Sequence, residues 1–113
     1  MDMSVIELPG PISCVQLSGR LDAGGADAIG VRFTAAVASV GHSTVVDLSG
    51  VSFIASMGIR LLIATAKGLN LKGAKMVIFG AQPMVQEVLQ GMALDQIVPV
   101  VSTQAEALHR LTA

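Results

Sequence analysis

The groups in this chain able to do chemistry are few, and they gather at two places. Ser52 and Ser56 stand in the run 45–63 (VVDLSGVSFIASMGIRLLI), where a β-rich apolar stretch gives way to a short Ser/Gly turn and then at once to a helix signal. An open α/β sheet carries its working surface at such junctions, outside the carboxyl ends of its strands. Arg20 and Asp22 stand in residues 18–25 (SGRLDAGG), a polar, Gly-rich stretch expected near the same rim, with Asp22 reading equally as the N-cap of the first helix. That stretch has neither the Gly-x-x-x-x-Gly-Lys-Ser/Thr spacing that cradles phosphates nor the Gly-x-Gly-x-x-Gly of dinucleotide sites. His42 and His109 fall in different elements with no Cys or carboxylate at ligand spacing, so no metal site is expected. No nucleophile-elbow motif supports a hydrolytic serine. Cys14, the one cysteine, lies in an apolar strand and reads as a small buried hydrophobe. The expectation is a chain that is not an enzyme and uses no cofactor.

Composition narrows the remaining classes. At 113 residues the expectation is a single domain, 1–113, with one core. Charged residues make up 13% of the chain, about half the usual fraction of roughly 25%, which suggests a partner-covered surface or a sheet buried on both faces. A net charge of −1 with seven Lys and Arg spread thinly argues against nucleic acid, which needs a clustered basic face. The longest uncharged stretch, 33–46, holds Thr, Ser, Gly and His and is shorter than the ~20 apolar residues of a membrane span. No basic-then-apolar leader precedes the first strand signal, so a cytoplasmic location is expected.

The elements that must position the rim follow from periodicity and turn chemistry. Residues 4–8 and 12–17 read as two strands, antiparallel because the link 9–11 (PGP) is so short. Residues 18–25 read as a loop. A helix follows to about residue 40, with Ile29, Phe33, Ala36, Val37 and Val40 on one face, ended by Gly41 and His42. Residues 44–48 form a third strand whose Val pair fits burial on both sides. A second helix is expected over 57–71, a fourth strand over 75–79, and a third helix opened by Pro83 and capped by Gly91. Residues 97–101 read as an edge strand because of Pro99. The capping-box spacing of 103–106 (TQAE) opens a last helix to Leu111. Strands alternating with helices imply a mixed, mostly parallel α/β sheet of about five strands with four helices and an N-terminal β-hairpin.

The run 47–63 resembles the signature of the STAS family, which includes bacterial anti-sigma factor antagonists and reads roughly Asp-Leu-Ser-x-Val-x-Phe-Ile-Asp-Ser-Ser-Gly-Leu-x-x-Leu-Leu. Residues 17–22 (LSGRLD) and the tail 91–108 are similar to further family fragments in the expected order. The resemblance implies a regulatory module that binds an anti-sigma factor, often a serine kinase of GHKL type. In that family, phosphoserine at the start of the second helix ends binding. An alternative role in the family is a subunit of a transporter ATPase or a larger signalling assembly. Two letters depart from the pattern: the family's Asp is Ala55, and its phosphorylated Ser is Met57, which cannot accept phosphate.

Two roles stay open for Ser56. As a helix N-cap, its Oγ would accept from the N–H of Gly58 or Ile59; as the surviving hydroxyl, it would take the phosphate in place of residue 57. Along the second helix, Ile59, Leu62, Ile63 and Ala66 recur at core spacing. Met57, Leu61, Ala64 and Gly68 then fall on the opposite side, flanked by Arg60 and Lys67. An apolar outer ridge of this kind suits a partner, a covering loop or a second copy of the chain in a homodimer. The expected partner-binding residues are Arg20, Asp22, Ile54, Ala55, Ser56, Met57, Arg60, Leu61 and Ala64.

Overall fold

Alternating burial along the strands sorts the apolar residues of the sheet onto two faces. In this computed structural model, which describes residues 1–112, the strands are β1 (Asp2–Leu8), β2 (Ile12–Leu21), β3 (Ser43–Ile54), β4 (Met76–Phe79) and β5 (Val100–Val101). The helices are α1 (Ala23–Thr34), α2 (Ser56–Leu71), α3 (Pro83–Gly91) and α4 (Gln104–Thr112). They form one five-stranded sheet in the order β1-β2-β3-β4-β5, with β1 antiparallel to β2 and the other neighbours parallel. Val15, Leu17, Val46, Leu48 and Ile78 pack with Ile29, Phe33, Ile59, Leu62 and Leu89 of the first three helices. Cys14, Val45, Val77 and Phe79 point the other way, onto Ala107 of α4. Val45 and Val46 are both fully buried, as a strand covered on both sides requires.

Several boundaries differ from the sequence expectation, and each difference has a physical cause. β2 continues through 18–21, which composition marked as loop, because those residues pair with β3: Ser18 with Gly50, Gly19 with Val51, Arg20 with Phe53 and Leu21 with Ile54. A side chain at Gly50 would put its Cβ 2.8 Å from that of Ser18, so the glycine permits this close pairing. β3 extends likewise to Ile54, so 51–54 is strand and not turn. Pairing with a distant strand overrode local propensity. β5 shortens to two residues, because 94–96 form a 3-10 turn and Pro99 lies before the strand.

The helix ends also shift. α1 passes into a π-helical turn, Ala35–Ser39, whose extra residue rotates the register; Val40 is therefore exposed instead of joining Phe33 and Val37 in the core. Gly91 lies within α3, and Ala93 takes the left-handed conformation (φ 57°) beyond the Met92 cap. At α4 the Thr103 hydroxyl accepts from the N–H of Glu106 at 3.2 Å, completing half of the expected capping box.

Candidate functional site

β2 and β3 run side by side and parallel, and each ends one residue before a helix begins. Asp22 alone links β2 to α1, and Ala55 alone links β3 to α2. The two helix N-termini are thus held together at the carboxyl edge of the sheet. The N–H of Ala55 donates to the carbonyl of Leu21 at 3.0 Å, tying one junction to the other. Two glycines allow the helices to sit this close. A Cβ on Gly58 would lie 2.6 Å from the Leu21 oxygen, and one on Gly25 would overlap the Arg20 oxygen. The rim is consequently rigid backbone and not a loop.

The two junctions are finished differently. Asp22 is the N-cap of α1, and its Oδ1 accepts from the N–H of Gly25 at 2.9 Å. The Arg20 Nε donates to Asp22 Oδ2 at 3.4 Å, while the Arg20 guanidinium lies 4.3 Å from the Phe53 ring centroid. The Gly25 amide holds the Asp22 carboxyl below its ordinary pKa, and Arg20 acts in the same direction. Arg20 and Asp22 thus form one unit, with Arg20 on the last residues of β2 and not in the expected loop.

At the second junction the N-cap of α2 is Ala55, in extended conformation (φ −124°, ψ 176°), and no side-chain hydrogen bond caps the helix. This corrects the N-cap expectation for Ser56, which occupies the first helical position with its side chain exposed. Only one residue separates the two assignments, yet the consequence is chemical: the Ser56 oxygen is not engaged in capping. Met57 follows, 47% exposed, with Arg60 and Ala64 exposed and Leu61 half-buried. Ile54 is 2% exposed and belongs to the core, so it supports the rim from beneath and offers it no surface.

The outer ridge of α2 does not face open solvent along its whole length. Gly68 packs towards Ala38 of the π-helical turn, where a Cβ would come within 3.1 Å. Its N-terminal half, Met57, Arg60 and Leu61, forms one wall of a groove of about 1030 Å³ whose other wall is α1. Ala23, Asp27, Gly30, Val31 and Thr34 line that second wall. These α1 residues were missed from sequence. Their signal was the part of the first helix left over once Ile29, Phe33 and Val37 are assigned to the core, a surface of mostly small side chains. Only Asp27 and Arg60 among the lining residues are ionisable. Among the described residues, no three His, Cys, Asp or Glu side chains group to hold a metal, and no helix is long and apolar enough to cross a membrane. Burial raises the pKa of the Cys14 thiol, with Asp47 adding to the effect, so the sulfur is held as a thiol inside the core.

The family described as "STAS domain" matches residues 3–107. An anti-sigma F factor antagonist of Paenibacillus polymyxa is 28% identical over 98 residues, covering 86% of this chain and 84% of that protein. The structure of an anti-sigma factor antagonist from Mycobacterium paratuberculosis superposes with a TM-score of 0.88 at 28% identity, over 99% of this chain and 94% of that one. An anti-sigma-factor antagonist (STAS) domain protein from Planctomyces limnophilus gives a TM-score of 0.88 at 25% identity, with both chains fully covered.

Proposed function

The chain belongs to the STAS domain family, and from that premise we propose that it is a single-domain, cytoplasmic regulatory module that works as an anti-sigma factor antagonist. It binds an anti-sigma factor, a serine kinase of GHKL type, and transforms no substrate of its own. The observation that carries this reading is Met57, a large apolar side chain 47% exposed at the second position of a helix. Leu61 and Ala64 continue its apolar surface along α2, and Arg60 lies beside it on the same wall of the groove, with Asp27 on the wall opposite. A rigid apolar centre with a polar surround is the anatomy of a protein-docking surface. Desolvating Met57 on a partner rewards binding, and the fixed backbone beneath it loses little entropy on docking.

Regulation departs from the family pattern. A thioether cannot be phosphorylated, so the switch position is chemically closed. Ser56 is the neighbouring hydroxyl, exposed and free of capping duty. A phosphate there would add about −1.5 to −2 charges at neutral pH, beside a helix N-terminus that tolerates an anion. The docking surface would change sign while the fold persisted. Ser56 is the candidate phosphoacceptor of this chain.

The test is a pull-down with a candidate GHKL-type anti-sigma kinase from the same organism, with and without ATP, followed by phosphopeptide mapping. The reading expects capture without ATP and any phosphate on Ser56. Failure to capture the kinase under either condition overturns it. Capture of a transport complex instead assigns the alternative role of an assembly subunit.

A further inference from the structure

The groove between α1 and α2 carries, side by side, the two features that self-association about a two-fold axis needs. A two-fold interface places the same patch on both copies, so each must bring both a projection and a place to receive one. Val31 is the projection: it is 84% exposed on the α1 wall, far more than its size and apolarity warrant. Gly30, the residue before it, is the vacancy. A Cβ built there has nothing within 4 Å, and glycine inside a helix costs stability relative to alanine. Gly25 and Gly58 are each demanded by a close approach within the chain, whereas no neighbour in the chain demands Gly30.

The charges are arranged in the same self-complementary way. Asp27 is the acidic group on the α1 wall, and Arg60 is the basic group on the α2 wall, with Lys67 exposed two turns further along α2. An α1 helix from a second copy, laid in this groove, brings its own Asp27 against the basic flank of α2, and the symmetry repeats the contact. We propose that the α1–α2 groove is the homodimer interface of this chain, with Val31 of each copy seated over Gly30 of the other. Because Met57, Arg60 and Leu61 line the same groove, dimerisation covers the docking surface. On the docking reading given above, the dimer and the partner complex exclude each other. Self-association then provides a concentration-dependent off state in a chain whose usual phosphate switch is closed.

The experiment is sedimentation equilibrium of the full chain from low micromolar to near-millimolar concentration, with circular dichroism of every variant. The wild type is expected to pass reversibly from monomer to dimer. V31D removes the projection and is expected to be monomeric throughout. G30L fills the vacancy and is expected to weaken dimerisation at least tenfold without loss of helix. D27K is expected to weaken it as well, and adding R60E and K67E to D27K to restore it. A wild type that stays monomeric at every concentration overturns the proposal, as does a dimer that V31D and G30L leave intact. A dimer lost instead on V5K, in the exposed edge strand β1, also overturns it. None of these readings involves the kinase, so the dimer and the docking surface stand or fall separately.

Discussion

The bare α-carbon of Gly58, at the third position of α2, faces the carbonyl oxygen of Leu21, the last residue of β2; a methyl at Gly58 would approach that oxygen to 2.6 Å and the Leu21 Cγ to 2.7 Å. Because the oxygen also accepts the Ala55 N–H at 3.0 Å, it cannot move away without breaking the link between the two junctions. The helix therefore meets the sheet at a spacing that only glycine allows.

Gly58→Ala is accordingly expected to destabilise the fold by about 1–3 kcal/mol, the usual cost of forcing an extra carbon into a packed site. Gly30→Ala is its control. With open space around the added methyl, it is expected to stabilise by about 0.5–1 kcal/mol, the helix-interior difference between the two residues. Urea denaturation at low protein concentration measures both. Equal effects at the two positions would show that the Leu21 contact does not constrain α2.

Asp22 gives the fold a pH dependence whose sign is fixed. Its folded pKa lies below its unfolded value, first through the Gly25 amide and then through Arg20. The folded state therefore binds this proton less readily, and the contribution is fully present above the unfolded carboxylate pKa. It is lost as pH falls through the depressed folded value. Asp22→Ala is expected to lower the melting temperature at neutral pH, and Asp22→Asn, which retains an oxygen acceptor for Gly25, to lower it less. The gap between wild type and Asp22→Asn is expected to close in strong acid. A gap that persists unchanged there would assign the loss to geometry and not to charge.

The uncapped start of α2 predicts a stabilising substitution. Ala55 already has the extended backbone of an N-cap but no side-chain acceptor. Ala55→Asp is expected to add about 1 kcal/mol by accepting a first-turn N–H and favouring the positive end of the helix. Ser56→Ala is expected to change stability by no more than about 0.5 kcal/mol, as for an exposed position without a cap. A loss near 1 kcal/mol at Ser56 would restore it as the cap and withdraw its hydroxyl from phosphorylation.

How far the sequence reveals this molecule depends on the range of the interaction involved. The order of strands and helices, the N-terminal hairpin and the inward residues Ile29, Phe33, Ile59 and Leu62 are written in local periodicity, and the structure has them all. The residues around Arg20 and Ile54 misled because glycine and serine signal a loop locally. Their strand state comes from pairing with residues more than thirty positions away. Val40 misled because one extra residue in a π-helical turn has no sequence mark and rotates everything after it. At the site, the outward placement of Met57 could be read from helical phase, whereas the contact between Arg20 and Asp22 appears only once β2 is extended to Leu21. The α1 wall of the groove could not, since small residues such as Ala23 and Gly30 look inert until a second helix is set beside them.

Met57 itself offers the decisive substitution for the docking reading. Replacing it by Glu puts a negative charge at the second position of α2, where the helix dipole favours an anion. Because the side chain is 47% exposed, stability is expected to stay within about 0.5 kcal/mol of wild type. Binding is expected to suffer far more. The change removes the apolar centre of the surface and places an unpaired charge where a partner must desolvate it, a mismatch that typically costs several kcal/mol at a well-packed contact. Isothermal titration against the kinase, paired with a denaturation curve, separates the two effects. An unchanged affinity in a folded Met57→Glu protein would move the docking surface away from the start of α2.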